Sequence, residues 1–201
     1  MPEADVSDEQ LLAAHRAGDR MAFAMLVKRY ERELYLFLVR FLGNRATAED
    51  VFQETFLQIY QSAEQFDATK RFRPWLFTIA ANKARDLMRA SARRPTSPLQ
   101  AAISPGDEDS GEYLDLMHVS AELPDEPMQR AELGSQVQRT VAAMPEHLRE
   151  ILLLAYFHGF AYRQISEILN IPLGTVKSRL HAAVAYFAEK WRISNRDSDA
   201  S

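Results

Sequence analysis

Thr175, Lys177, Ser178, Arg179 and His181 fall within two turns of a run, 173–181, whose apolar residues have helical spacing. Hydroxyls, an ammonium, a guanidinium and an imidazole on the first turns of one helix suit hydrogen bonds to base edges and charge contacts to phosphates. A second set, Lys70, Arg71, Arg73, Asn82, Lys83, Arg85, Arg89, Arg93 and Arg94, is interleaved with Phe72, Trp75 and Phe77. Basic groups neutralise phosphates, and aromatic faces and amides hold an unstacked base. Captured bases are a way to open a duplex without hydrolysis. A third set, Asp50, Gln53, Glu54 and Leu57, falls at i, i+3, i+4 and i+7, a polar stripe with an apolar end. Such a stripe pairs with cationic partner helices and contributes specificity more than affinity. Each set also has a plainer reading on spacing alone. The third is a solvated face, Trp75 and Phe77 are core, and any amphipathic helical hairpin gives a stripe like that of 173–181.

The elements that must position these residues are all helical. In 162–191, YRQISEILNIPLGTVKSRLHAAVAYFAEKW, two helices meet at a tight turn. Ile165, Ile168 and Leu169 give the first helix its packing side, and Asn170 suits the left-handed residue that ends it. Pro172 suits the first position of the next helix, and Gly174 permits close backbone approach. Leu173, Val176, Leu180, Val184, Phe187 and Trp191 form the expected buried stripe of that helix, with Thr175, Ser178, Arg179 and Ala182 on another face.

Towards the N-terminus four helices are expected. Ser7 and Gln10 make a capping box for a helix through Ala17. Gly18-Asp19 breaks and recaps the chain, and a long helix over 20–42 ends at Gly43-Asn44. Thr47 with Asp50 opens a third helix to about residue 65, burying Val51, Phe52, Thr55, Phe56, Ile59 and Tyr60. A fourth starts near Pro74 and ends before Arg93-Arg94, burying parts of Trp75, Leu76, Ile79, Ala80, Leu87 and Met88. These make a compact bundle rather than a coiled coil.

The chain of 201 residues has 47% hydrophobic residues, enough for one or two small cores. It has no cysteine, so neither a disulfide framework nor a thiolate metal site is available. The five histidines are dispersed, and no nucleophile motif or Gly-rich phosphate loop is present. An enzyme, a cofactor and a bound metal are therefore not expected; His158 beside Gly159 is read as a helix cap. With no membrane-length apolar run and no signal pattern, a cytoplasmic protein without membrane insertion is expected.

The net charge of −4 is unevenly spread. Residues 1–94 carry 15 Lys/Arg against 13 Asp/Glu, and 130–201 carry nine against seven. The stretch 95–129 carries eight acidic residues, no Lys or Arg, and five prolines, so it reads as a mostly unstructured acidic linker. The expected organisation is thus a helical domain over 1–94, the linker 95–129, a helix-turn-helix domain over 130–192 and a disordered tail over 193–201.

Two of these segments resemble one family. Met144-Pro145, the apolar run 151–154, Phe157-His158-Gly159-Phe160 and the segment 171–180 are similar to the fourth conserved region of bacterial sigma factors, particularly the extracytoplasmic-function (ECF) group. Ala48-Glu49-Asp50-Val51-Phe52-Gln53-Glu54-Thr55-Phe56 and the segment 72–89 resemble the second conserved region. The resemblance implies that Asp50, Gln53, Glu54 and Leu57 dock on core RNA polymerase. It implies that Lys70, Arg71, Phe72, Arg73, Asn82, Lys83, Arg85 and Arg89 recognise and melt the −10 element of promoter DNA. Thr175, Lys177, Ser178, Arg179 and His181 would read the −35 element, and an anti-sigma factor would hold the protein inactive. It also implies that the linker threads through polymerase towards the nascent RNA path. The chain departs from the family pattern at His181-Ala182-Ala183-Val184-Ala185, where further arginines are usual. Fewer phosphate contacts imply modest affinity and weaker salt dependence. The rival readings are a classical helix-turn-helix regulator that binds palindromic duplex as a dimer, and a helical scaffold that binds protein alone.

Overall fold

The computed structural model describes residues 6–93 and 127–198. Among these residues every regular element is helical. The helices form two compact units, α1–α4 in one and, but for 167–170, α5–α8 in the other. The all-α, two-domain architecture is the one expected.

In the first unit, α1 (Asp8–Arg16) starts at the expected capping box. Ser7 Oγ accepts from the Gln10 amide at 3.2 Å, and Gln10 Oε1 accepts from the Ser7 amide at 2.9 Å. Asp19 caps α2 (Arg20–Leu42) through the amides of Met21 and Ala22, and Gly43 ends it at φ 71°. That left-handed conformation is cheap only without a Cβ. Helix α3 (Arg45–Ser62) continues as a 3-10 turn, Ala63–Gln65. Its cap is Asn44, whose Oδ1 accepts from the Thr47 amide at 2.9 Å, and not Thr47 as expected. Gly43-Asn44 therefore both ends one helix and starts the next. Helix α4 (Phe72–Arg93) begins before the expected Pro74. The carboxylate that caps it comes from α1: Glu9 Oε1 accepts from the Phe72 amide at 3.0 Å. Pro74 is then accommodated within the first turn, where it sacrifices no helical hydrogen bond.

The core lies between α2, α3 and α4. Leu26, Leu34, Phe37, Leu38 and Phe41 from α2 meet Val51 and Ile59 from α3 and Phe72, Leu76, Phe77 and Ala80 from α4. The Phe77 ring lies tilted against Phe37, 5.3 Å between centres, and the Phe72 ring tilted against Tyr30 at 5.5 Å. Val51, Thr55, Phe56 and Ile59 are buried as expected, but Tyr60 is 51% exposed. Its ring leans outward against His15 and Phe23, at 4.8 and 5.3 Å.

In the second unit, α5 (Pro127–Ala142) begins inside the stretch expected to be linker, whose residues 95–126 lie outside the described ones. Helix α6 (Glu146–Leu152) runs into a π turn, Leu153–Phe157. His158 closes it, its amide donating to the Leu153 carbonyl at 3.1 Å, and Gly159 follows at φ 61°. The capping role expected of His158-Gly159 is the one observed. Helix α7 (Tyr162–Leu169) and helix α8 (Leu173–Ser198) complete the unit, with α8 packed against α5 and α6. Helix α8 continues through 193–198, where a disordered tail was expected; residues 199–201 lie outside the described ones.

Candidate nucleic-acid interface

Local chemistry fixes the turn between α7 and α8. Gln164 Oε1 accepts from the Ala161 amide at 2.9 Å, closing the first turn of α7. At the other end Asn170 takes φ 51°. The Ile171 amide donates to the Ser166 carbonyl at 3.1 Å and the Asn170 amide to the Glu167 carbonyl at 3.3 Å. This is the paired hydrogen-bond pattern that a left-handed residue makes possible. Ser166 Oγ adds a third tie, donating to the Ile171 carbonyl at 2.6 Å. The Pro172 carbonyl accepts from the Val176 amide at 3.1 Å, so Pro172 is the cap of α8 rather than its first residue. A Cβ on Gly174 would meet nothing within 4 Å among the described residues, so none of them makes the close approach that Gly174 permits.

The buried stripe of α8 is Val176, Leu180 and Ala183, while Leu173 and Val184 are 36% and 41% exposed. At about 100° per residue Ala183 lies about 20° from Val176 around the helix, whereas Val184 lies about 80° away. The expected stripe was therefore drawn one residue off at 183–184. Lys177, Ser178 and His181 stand exposed, and Thr175 and Arg179 half-exposed. Ser178 Oγ donates to the Thr175 carbonyl at 3.2 Å, leaving its lone pairs outward. The exposed Ala182 and Ala185 bring no charge to the next turn.

On α4 the set divides. Lys70 and Arg71 are exposed in the lead-in loop, which Asp67 organises by accepting from the Thr69 amide and hydroxyl at 3.0 and 2.7 Å. Those bonds hold the Asp67 carboxyl below its usual range. Phe72 is a correction: it is 0% exposed, because the Glu9 cap pulls its residue into the helix and its ring into the core. Glu9 itself is held below the usual carboxylate range. Burial opposes this, and the Phe72 amide, its own amide, Ser7 and the nearby Arg71 outweigh it. Arg73 is forked onto Glu33 of α2, with Nε at 3.1 and 3.3 Å from the two oxygens. Farther along, Arg85 bonds Asn82, Arg89 lies 3.4 Å from Asp86, and Lys83 lies 3.4 Å from Glu54. Asn82 is exposed, while Trp75 is half-buried against Phe66 at 4.8 Å. Arg94 lies outside the described residues.

On α3, Asp50, Gln53, Glu54 and Leu57 form one exposed face, with Leu57 56% exposed. Tyr60 extends that face and was missed because its spacing also fits the buried stripe. The pairings of Arg85 and Arg89, at i, i+3, were open to sequence reading. Those with Glu9 and Glu33 join residues far apart in the chain and leave no local signal. Among the described residues no group of three or more His, Asp or Glu could hold a metal, and no helix is long and apolar enough to cross a membrane.

These features define a helical protein with a helix-turn-helix in one unit and a basic helix in the other. Residues 26–94 match the family described as Sigma-70 region 2, and 135–186 match Sigma-70, region 4. The chain is 34% identical to the ECF RNA polymerase sigma factor SigW of Bacillus subtilis, over 83% of this chain and 87% of that protein. It is 33% identical to the ECF RNA polymerase sigma-E factor of Escherichia coli, over 89% and 91% respectively. The chain belongs to the ECF sigma factors of the sigma-70 family. Its fold is similar to that of CnrH, solved in complex with the cytosolic domain of CnrY, at a TM-score of 0.61 and 24% identity, covering 90% of this chain and 95% of that one.

Proposed function

We propose that this chain is an alternative sigma factor that binds core RNA polymerase and directs it to promoters, reading two promoter elements with separate helical domains. The observation that carries the reading is the order of the two family regions on one chain, over most of the length of relatives named as RNA polymerase sigma factors. A classical dimeric regulator has no use for the first of those regions.

The division of labour follows the exposed chemistry. Asp50, Gln53, Glu54 and Leu57 on α3, with Tyr60 beside them, dock on the polymerase. Lys70, Arg71, Asn82, Lys83 and the exposed end of α4 hold the −10 element, Lys70 and Arg71 supplying charge and Asn82 an amide for a flipped base. Thr175, Lys177, Ser178, Arg179 and His181 on α8 read the −35 element in the major groove. The buried Phe72 supports the lead-in loop from beneath, and Arg73 ties α4 to α2 through Glu33. The chain acts by binding, as a regulatory subunit with no chemistry of its own, in the cytoplasm where polymerase works. A sequestering anti-sigma factor is proposed as its control: RpoE of Bartonella quintana, alike in fold at a TM-score of 0.61, is solved with the anti-sigma factor NepR.

Co-purification with core polymerase tests the reading. The wild-type chain is expected to bind stoichiometrically, and a chain with Asp50→Ala, Gln53→Ala and Glu54→Ala to bind at least tenfold more weakly while melting normally. Equal binding by the two would remove α3 from the interface.

A further inference from the structure

Helix α3 carries the proposed docking face and α4 the proposed promoter face, and the ion pair of Glu54 and Lys83 joins them. Lys83 Nζ lies 3.4 Å from Glu54 Oε2, the lysine side chain 24% exposed and the glutamate 63%. Other cations of the promoter face are engaged as well, Arg73 by Glu33, Arg85 by Asn82 and Arg89 by Asp86. Among these pairs, that of Lys83 is the one whose partner belongs to the docking face.

We propose that the Glu54–Lys83 pair couples polymerase docking to promoter capture, each ligand releasing the charge that the other needs. The inference rests on the docking and promoter faces proposed above. A cation of the polymerase and the Lys83 ammonium compete for one carboxylate. When polymerase takes Glu54, Lys83 is left with its positive charge uncompensated, beside Asn82 on the promoter face. A phosphate that takes Lys83 frees Glu54 in the same way, and linkage makes the two effects equal. The pair is partly exposed, so its coupling is small, about 1.5- to fivefold in affinity. Free of polymerase, the chain thus holds Lys83 paired, and assembly adds that one charge to a promoter face on which Lys70 and Arg71 are already exposed.

The test uses the full chain without polymerase and a fluorescent, random-sequence single-stranded DNA 20-mer. Glu54→Gln is expected to bind it about 1.5- to fivefold more tightly than wild type, with a salt slope steeper by about 0.7, the share of one added phosphate contact on a single strand. Glu49→Gln, which removes a charge from an exposed position of the same helix, is expected to do less. In a Lys83→Met background the Glu54→Gln effect is expected to vanish. Lys83→Met alone is expected to bind core polymerase about 1.5- to fivefold more tightly, because the competitor for Glu54 is gone. An effect of Glu54→Gln that persists without Lys83, or that Glu49→Gln equals, overturns the coupling and leaves docking untouched. So does an unchanged polymerase affinity in Lys83→Met. Failure of the docking reading shows separately: Glu54→Gln then binds core polymerase as tightly as wild type, and the coupling falls with it.

Discussion

Phe72→Ala separates a core ring from a base-capturing one. Phe72 is 0% exposed and sits among Tyr30, Trp75 and Phe66 at 5.5, 6.0 and 6.4 Å between ring centres. Truncating a phenylalanine so placed costs about 3–5 kcal/mol, transfer and cavity terms together. Domains of this size are stable by about 5–15 kcal/mol, so the loss removes a large part of the margin. At about 4–8 °C per kcal/mol, the first unit should melt on the order of 12–40 °C lower. Thermal unfolding followed by circular dichroism on the full chain measures this, and the transition of the second unit serves as internal reference. Phe72→Leu keeps most of the volume and should cost about 1.5 kcal/mol or less. Because the ring does not face the DNA, Phe72→Leu in the assembled polymerase should bind melted promoter strand within twofold of wild type. Normal melting of Phe72→Ala, together with lost strand binding by Phe72→Leu, would refute the core assignment.

Other outcomes follow from the same structure. Glu9, held below its usual 4.5, stabilises the fold above that pH and ceases to do so as pH falls through its lowered folded value; melting from pH 7 to 3 should therefore depend on pH less steeply in Glu9→Gln, and an unchanged profile would contradict the cap on α4. Asn170 at φ 51° should tolerate Gly and lose about 1 kcal/mol on replacement by Ala, measured by urea unfolding. Lys177→Ala and Arg179→Ala should each lower the salt slope for duplex binding by about 0.9 in the assembled polymerase. If Ala182 and Ala185 are the reason for few phosphate contacts, Ala182→Arg should raise that slope by a similar amount.

Local signals were legible where neighbours in sequence are neighbours in space. The Ser7–Gln10 box, the Gly43 end of α2, the left-handed Asn170 and the His158 cap all rest on residues within a few positions of one another. The exposed stripe of α3 was legible for the same reason, since helical spacing alone puts Asp50, Gln53, Glu54 and Leu57 on one face. Misreadings arose where a distant residue decides. Phe72 was assigned to DNA because it stands among Lys70, Arg71 and Arg73, yet Glu9 starts the helix there and turns the ring inward. Tyr60 fits the buried period of α3 but meets His15 and Phe23 at the rim instead. At 183–184 a small residue and a large one competed for the stripe of α8. The helical angle selected the small one, since Ala183 lies about 20° and Val184 about 80° from the buried Val176.

The central claim is tested most directly by run-off transcription with purified core polymerase, this chain, and a promoter library randomised at both element positions. The account predicts transcripts that depend on the chain, from selected templates sharing two separated elements. A chain that leaves polymerase silent on every template, yet binds a palindromic duplex by itself as a dimer, would contradict it.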